Sequence, residues 1–247
     1  KQQLPSMFSL MDLRFDSDPL NINEGNSDLR RTEIYSTELF YTSDQWGKEK
    51  QRRISGKIMA AFYRNAVAMA QVYDAATGVR TYRPQNVNGN YRIGFNCNFY
   101  TPIDAKQRFI LNIGVSNNFY RNIDLQSTEL KVAESSTVFT NYMATPLSIE
   151  YNYKKIRIGS KFQMAWHSAR SNRKNFIDVN GVNIDAGIYG NVQLPWNLQF
   201  ATDFNYYAHR GFVNEVMNTD NFVWNAQLSK SILHGNLIFA LVGYDIL

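Results

Sequence analysis

This sequence of 247 residues has only one cysteine and no long apolar run. Its single cysteine, Cys97, excludes an internal disulfide framework and any metal cluster built from cysteine ligands. No stretch of 18 apolar residues occurs, so no transmembrane helix is expected. The first residues, Lys1 to Pro5, contain no apolar core of a signal peptide.

The composition narrows the class of protein further. Lys and Arg number 26 against 21 Asp and Glu, and this net charge of +5 is spread along the chain, which argues against a nucleic-acid partner. A hydrophobic content of 44% excludes wholesale disorder. Aromatic residues reach 14% and asparagine occurs 27 times, which is typical of neither a helical enzyme nor a disordered chain.

The dominant pattern is an alternation of apolar and polar residues with a period of two, which is typical of β-strands. Between Val182 and Leu194, for example, apolar residues fall on one phase and Asn183, Asp185 and Gln193 on the other. The run at 59–70 fits a helix by propensity and a strand by alternation. The alternation predicts eleven strands, at 7–15, 33–43, 53–72, 87–101, 107–121, 137–152, 155–169, 182–193, 197–209, 220–232 and 236–247.

The lengths of the strands and loops favour a membrane barrel. Several predicted strands have ten to fifteen residues, whereas strands of soluble proteins cluster near five or six. Short and long connections alternate, as in transmembrane barrels with short turns at one end. The predicted tight turns are Tyr153-Lys154, Pro195-Trp196, His234-Gly235 and 101–106. The predicted long connections are 16–32, 74–85, 122–136, 169–181 and 210–221. The connection 42–51 is long for the short-turn end.

The polar phase of the strands indicates a hydrated lumen. The seven clearest segments contain only six charged residues among 71, and all lie on the polar phase: Arg92, Glu150, Arg157, Lys161, Asp185 and Asp203. Aromatic residues gather near strand ends, as in interfacial girdles: Tyr100, Phe119, Tyr120, Tyr151, Tyr153, Trp196, Tyr206, Tyr207, Phe222, Trp224 and Tyr244. We therefore predict an all-β fold, an antiparallel up-and-down transmembrane β-barrel, with 1–247 as a single β-barrel region. A soluble barrel with an apolar interior has the same alternation and stays open as an alternative.

Several short motifs resemble the outer-membrane β-barrel family of Gram-negative bacteria that is related to TonB-dependent receptors. Asp18-Pro19-Leu20-Asn21-Ile22, followed by Gly25-Asn26 and Asp28-Leu29, is similar to the family segment PLNI…GNP.L, with Ser27 in place of the usual proline. Further matches are Tyr73-Asp74, Thr77-Gly78-Val79, Pro84 to Asn90, Leu194 to Leu198, Trp224-Asn225-Ala226 and Gly243 to Leu247.

The resemblance implies a role in the outer membrane. Proteins of this kind are plugged barrels of ~22 strands, so the chain is expected to be the C-terminal portion of a longer protein with about eleven strands of a larger barrel. The implied function is import of a bulky nutrient such as an oligosaccharide, a peptide or a metal chelate. Expected partners are outer-membrane lipid and lipopolysaccharide, TonB through upstream segments, and a surface lipoprotein. A structural or adhesive barrel without transport is the alternative.

No catalytic or metal-binding motif is found, so we predict no enzyme, no catalytic residue, no metal site and no cofactor. His167, His209 and His234 lack the spacing of a metalloprotease. The oxygen-rich loop 16–28 is interpreted as solvated, because it lacks the spacing of an EF-hand. A basic cluster of Arg170, Arg173 and Lys174 is expected to meet lipopolysaccharide phosphates or solvent. Cys97 is predicted to be a buried or lipid-facing thiol. Residues that bind a ligand stay unassigned.

Overall fold

The described residues of the computed structural model, 1–45, 51–127, 133–233 and 236–247, form almost only β-strands. One helical turn, α1 (Met7–Leu10), and two 3₁₀ turns, Pro195–Asn197 and Glu215–Met217, accompany them. No helix in these ranges is long and apolar enough to cross a membrane. The strands are β1 (Gln2–Gln3), β2 (Arg14–Phe15), β3 (Asn21–Glu24), β4 (Thr32–Gln45), β5 (Arg52–Arg64), β6 (Ala66–Tyr73), β7 (Arg80–Val87), β8 (Asn90–Pro102), β9 (Phe109–Ser127), β10 (Glu134–Tyr153), β11 (Ile156–Ser171), β12 (Val179–Leu194), β13 (Leu198–Arg210), β14 (Asp220–Ile232) and β15 (Leu237–Gly243).

A single antiparallel path runs through the sheet in the order β1-β4-β5-β8-β9-β10-β11-β12-β13-β14-β15. From β8 onward every strand pairs with the next strand in the chain, which is the up-and-down order that the alternation predicts. The path contains eleven strands, and β1 and β15 stand at its two ends within the described ranges. The predicted all-β antiparallel fold is confirmed.

The two rims of the sheet differ in the length of their connections. At the short-turn rim, β8 is joined to β9, β10 to β11 and β12 to β13 by at most six residues, and β4 meets β5 there as well. Lys154 and Trp196 take positive φ angles of 51° and 60° in these turns. At the long-loop rim lie the connections 65–89, 172–178 and 211–219. The predicted alternation of short and long connections is confirmed from β10 to β14. The predicted loops 16–32 and 122–136 are partly wrong, because the first contains β3 and the second contains the end of β9 and the start of β10. The predicted turn at His234-Gly235 lies outside the described residues.

A small side sheet of β2, β3, β6 and β7 stands at the long-loop rim. The predicted strand 53–72 is wrong as a single strand, because Asn65 at φ 53° separates β5 from β6. β6 then pairs in parallel with residues 125–127 at the end of β9. This part of β9 extends past Arg121, where its pairing with β8 ends. The predicted loop 74–85 is partly wrong, since it contains the start of β7. Ala66, Ala70, Val87 and Leu125 form the buried cluster of this side sheet.

The predicted first strand, 7–15, is also wrong. The hydroxyl of Ser6 accepts a hydrogen bond from the backbone N–H of Ser9 at 3.1 Å and thereby caps the helical turn α1. Only Arg14–Phe15 of the predicted segment is extended, and it pairs with β3. The eleven strands of the path therefore match the predicted number, but β1 takes the place of the predicted first strand.

Most apolar side chains of the path point outward to the surroundings, although a few, such as Phe40 opposite Lys57 and Val242 opposite Gln227, lie on the inner face. Direct partners in an antiparallel pair lie on the same face, so the register defines an outer face that carries the apolar phase and an inner face that carries the polar phase. Ile58, Ile158 and Ile188 on the outer face are 58%, 54% and 61% exposed. The accessible surface of the chain is 16828 Å², against about 11,000 Å² for a compact soluble monomer of this mass. The apolar phase is therefore not the interior of a soluble core.

Two aromatic belts border the outer face. Near the long-loop rim, the rings of Phe62, Tyr91, Phe119 and Phe139 follow one another across β5, β8, β9 and β10 at centroid distances of 5.9–6.2 Å. Near the short-turn rim, Phe109 and Tyr151 lie 4.6 Å apart. Phe109 and Phe119 are ten residues apart on β9, which spans about 25 Å for a strand tilted by about 40°. This is the height of the apolar band of outer-membrane barrels.

Three aromatic residues expected in the girdles lie on the inner face instead. Tyr100 is opposite Arg53 and Asn112, Tyr120 is opposite Arg92, and Tyr207 is opposite Asp185. These three tyrosines extend the polar surface, because each presents a hydroxyl on a face of amides and charges. Cys97 lies on the outer face between Phe95 and Phe99 and is exposed, in agreement with a lipid-facing thiol and not with a buried one.

Candidate functional site: the inner face of the sheet

The inner face carries most of the polar residues of the strands from β8 to β14. All six charged residues of the predicted polar phase lie there, because each is opposite another inner-face residue in the register. Around them the strands contribute Asn96 and Asn98 on β8, Asn112 and Asn118 on β9, and Gln163 on β11. The alternation of the sequence thus places these charges and amides on a single surface.

Seven adjacent strands, β5 and β8 to β13, line one cavity of about 500 Å³ on this face. The sheet must be curved for side chains of seven strands to reach one cavity, because neighbouring strands are about 4.8 Å apart. The polar face is therefore the concave one. Its side chains with hydroxyl, amide or charged groups are Arg53, Ser55, Asn98, Tyr100, Asn112, Ser148, Lys161, Gln163, Asp185 and Tyr207.

A hydrogen-bonded cluster around Glu150 lies toward the short-turn rim. One carboxylate oxygen of Glu150 accepts from the guanidinium of Arg157 at 2.6 and 2.7 Å and from the hydroxyl of Tyr189 at 2.8 Å. The other oxygen accepts from the side-chain amide of Asn152 at 2.6 Å. β10, β11 and β12 each supply members of this cluster, so it fixes the inner side chains of three strands together.

A second polar cluster lies toward the long-loop rim and contains two histidines. The side-chain amide nitrogen of Asn183 is 3.1 Å from Nε2 of His167, and its oxygen is 2.7 Å from Nδ1 of His209. The ring of Tyr142 packs 4.7 Å from the His167 ring. Sequence spacing separates the two histidines, and the structure brings them together through Asn183. His234 lies outside the described residues.

A third cluster joins β13 and β14. The carboxylate of Asp203 accepts from the side-chain amides of Asn205 at 2.6 Å and Asn225 at 3.0 Å. Within the described ranges, the buried oxygen of Asn205 and the buried Nε of Arg92 have no hydrogen-bond partner. Polar groups in this state are costly unless water or a ligand satisfies them, which is consistent with a hydrated surface.

Carboxylates outside the strands serve the local structure of turns and loops. The backbone N–H of Phe109 donates to Asp104 in the turn between β8 and β9, and with Arg108 it lowers the pKa of Asp104. A hydrogen bond from the Thr77 hydroxyl lowers the pKa of Asp74 in the same way.

The oxygen-rich loop shows the same kind of local bonding. The side chain of Asn21 donates to Asp18 at 2.8 Å and lowers the pKa of that carboxyl. No group of three or more metal-ligating side chains occurs in the part of the chain that the structure describes.

The basic cluster expected from the sequence is divided by the structure. Arg173 forms an ion pair with Asp124 at 3.1 Å and also donates to Gln126, so it is bound to the end of β9. Arg170 lies on the outer face and remains 75% exposed, with Asp178 at 4.0 Å. These two arginines therefore do not act on one ligand.

The chemistry of the inner face is that of a polar surface with many hydrogen-bonding groups. The carboxylate of Glu150 accepts hydrogen bonds from an amide, a hydroxyl and a guanidinium, and that of Asp203 accepts them from two amides. These two carboxylates do not form a hydrogen-bonded pair with another carboxylate of the described residues. Amides and hydroxyls exchange hydrogen bonds readily with polar solutes. Sequence reasoning predicted the polar surface as a whole but missed the His167–Asn183–His209 cluster, whose only signal is the shared phase of its members.

Comparison with known proteins gives one family. The model of the outer membrane protein beta-barrel family matches residues 1–152, which is more than half of the chain. Comparison with curated proteins and with solved structures finds no match. The match agrees with the apolar outer face, the aromatic belts and the hydrated concave face. The chain belongs to the outer membrane protein beta-barrel family, and its location is the bacterial outer membrane.

Proposed function

We propose that this barrel imports a bulky polar nutrient across the outer membrane, driven by TonB through a plugged lumen. The observation that carries the proposal is the concave cavity of about 500 Å³ that seven strands line, with polar side chains from each of them. A wall of this kind suits the passage of a large hydrated solute. The nutrient classes that we propose are oligosaccharides, peptides and metal chelates.

The width of the curved wall supports a large barrel. In barrels of about eight strands, the inner side chains fill the interior or leave room for one small ligand. Here the side chains of seven strands leave an open space of about 500 Å³ and four further strands extend the path. Among wider barrels, those of about 16–18 strands leave an aqueous channel, and those of about 22 strands are transporters with a plugged lumen.

The chemistry of the cavity supports a solute with hydroxyl or amide groups. Lys161 and Asp185 present opposite charges on neighbouring strands, and Tyr100 and Tyr207 add aromatic hydroxyl groups on either side of the cavity. Amide side chains such as Asn98 and Gln163 offer both donors and acceptors. A mixed surface like this binds many polar solutes weakly, which suits passage better than tight retention.

The experiment is uptake by bacterial cells that carry the full-length protein. Cells with and without the gene, each with and without TonB, are given labelled oligosaccharides, peptides or ferric chelates, and accumulation is measured. We expect accumulation of one class only when both the barrel and TonB are present. The double variant Lys161→Gln/Asp185→Asn should lower the uptake rate several-fold, whereas Ile188→Leu on the outer face should not.

The outcomes separate the proposal from its alternative. If no class accumulates although the unboiled protein migrates as a folded barrel in SDS, import is contradicted and a structural or adhesive role is favoured. Uptake that persists without TonB would contradict the energised mechanism and leave a passive conduit. That the protein is not an enzyme stays a prediction.

A further inference from the structure

One row of directly opposed residues crosses six strands of the outer face near the long-loop rim. The register connects each member to the next, from β4 through β5, β8, β9 and β10 to β11. The row reads Tyr35, Phe62, Tyr91, Arg121, Phe139 and Arg170. Four members are aromatic and belong to the interface between apolar and polar surroundings, so the two arginines lie at the same border.

The two arginines stand on either side of Phe139. Phe139 is opposite Arg121 on one side and opposite Arg170 on the other. With a strand spacing of about 4.8 Å, the Cα atoms of the two arginines are about 10 Å apart. Side chains of this length can therefore approach one anion, or two neighbouring anionic groups, above the Phe139 ring.

Neither Arg121 nor Arg170 forms a close ion pair with another described residue of the chain. Arg121 donates to the backbone oxygen of Gly89 at 2.6 Å, and no carboxylate of the described residues forms a salt bridge with it. Arg170 has Asp178 at 4.0 Å, with both side chains more than half exposed, and exposed pairs at this distance contribute little. By contrast, Arg210 on the same rim is paired with Asp220.

The surroundings favour a phosphate on a lipid over a phosphate in solution. Phe119 lies below the row, and its ring stacks on that of Phe139 at 5.9 Å, so that the two rings offer an apolar surface to an acyl chain. The long-loop rim is the extracellular one in outer-membrane barrels. A guanidinium binds phosphate oxygens in a bidentate geometry. The arginines thus lie where the headgroup of a lipid would be, and the aromatic rings lie where its acyl chains would begin.

We propose that Arg121 and Arg170 bind the phosphate groups of an outer-leaflet glycolipid, with Phe139 between them against the lipid. The site follows from the outer face and the outer-membrane location, and it does not depend on nutrient import. It replaces the pairing of Arg170 with Arg173 and Lys174 that the sequence suggested, because Arg173 is already bound to Asp124 and Gln126.

The test measures lipid retained by the full-length protein in detergent. Native mass spectrometry compares binding of diphosphorylated lipid A with binding of lipid A from which the phosphates have been removed. We expect the phosphorylated form to be retained at least ten-fold better, a preference that the double variant Arg121→Gln/Arg170→Gln abolishes. The variant Arg64→Gln is the matched control, because Arg64 lies at the same rim but is near Glu33.

Each result decides the assignment. Unchanged preference in the double variant would overturn it, as would loss of binding in the Arg64→Gln control to the same degree. If inorganic phosphate at millimolar concentration displaces lipid A, the site binds a free anion and the lipid assignment is wrong. Should the double variant fail to fold, Arg170→Gln alone is used, since its exposed side chain can change without affecting folding, and it should lower the preference several-fold.

Discussion

The outer and inner faces of the sheet are built on one backbone and differ in what stabilises them. Outside, large apolar side chains stand exposed and contact one another mainly as aromatic belts. Inside, amides, hydroxyls and charges are joined in hydrogen-bonded clusters across neighbouring strands. The outer face therefore gains its stabilisation from lipid, and the inner face from polar contacts in water.

The comparison also explains why alternation alone does not tell which face of the sheet meets water and which meets lipid. Both a soluble and a membrane barrel alternate, but only the membrane barrel places apolar groups on the convex side. Here Phe162 and Gln163 are neighbours in β11, yet the register places Phe162 on the outer face, opposite Ala186, and Gln163 on the inner face, opposite Asp185. Changing such neighbours in the same way tests each face separately.

The largest effect is expected for a charge on the outer face. Phe162→Lys should lower the free energy of unfolding in phospholipid vesicles by about 2–4 kcal/mol, because a lysine near the bilayer midplane must leave water. Gln163→Lys should cost less than about 1 kcal/mol, since it faces a hydrated lumen. Denaturant titration of the full-length protein measures both, and Phe162→Leu controls for the lost ring. Equal costs for the two lysine variants would contradict the assignment of the faces.

A smaller effect is expected when the Glu150 cluster is broken. Glu150→Gln removes the charge that Arg157 and Tyr189 share, and we expect a loss of about 1 kcal/mol because Arg157 is largely exposed to water. A double-mutant cycle with Arg157→Gln should give a coupling energy of similar size. Additive effects of the two substitutions would show that the pair does not stabilise the inner face.

The smallest effect is a pH dependence at the short-turn rim. The folded protein lowers the pKa of Asp104, mainly through the backbone N–H of Phe109. The carboxylate therefore stabilises the fold above its ordinary pKa of about 4, and this contribution is lost as the pH falls through the folded pKa. The stability difference between wild type and Asp104→Asn should shrink below about pH 4. For Lys106→Gln in the same turn the difference should not depend on pH, and a parallel decrease there would contradict the assignment.

The strand interiors could be predicted because their alternation is continuous and both faces have a distinct chemistry. The ends of strands could not be predicted as well, since they depend on single backbone angles. Asn65 takes a positive φ between two apolar segments and starts a new strand, although the residues around it continue the same pattern. Ser6 caps a helical turn in a segment that also fits a strand.

The site could be predicted as a surface but not as a set of contacts. The tight turn at Lys154 fixes how β10 and β11 align, so the pairing of Glu150 with residues of β11 follows from turn length. A long connection joins β11 to β12, and its length leaves their alignment open. The contact between His167 and Asn183 depends on that alignment, and for this reason sequence spacing alone did not reveal it.

The order of the strands along the chain also predicts the order in which they pair during assembly. Strands joined by tight turns can pair as soon as both are made, because closing a short loop costs little entropy. β5 must instead wait for β8, since the β6–β7 hairpin stands between them in the chain. We expect the hairpins from β8 to β15 to form early and the seam between β5 and β8 to close last among these strands. The side sheet at the long-loop rim is thus expected to delay the pairing of β5 with β8, which are neighbours in the sheet.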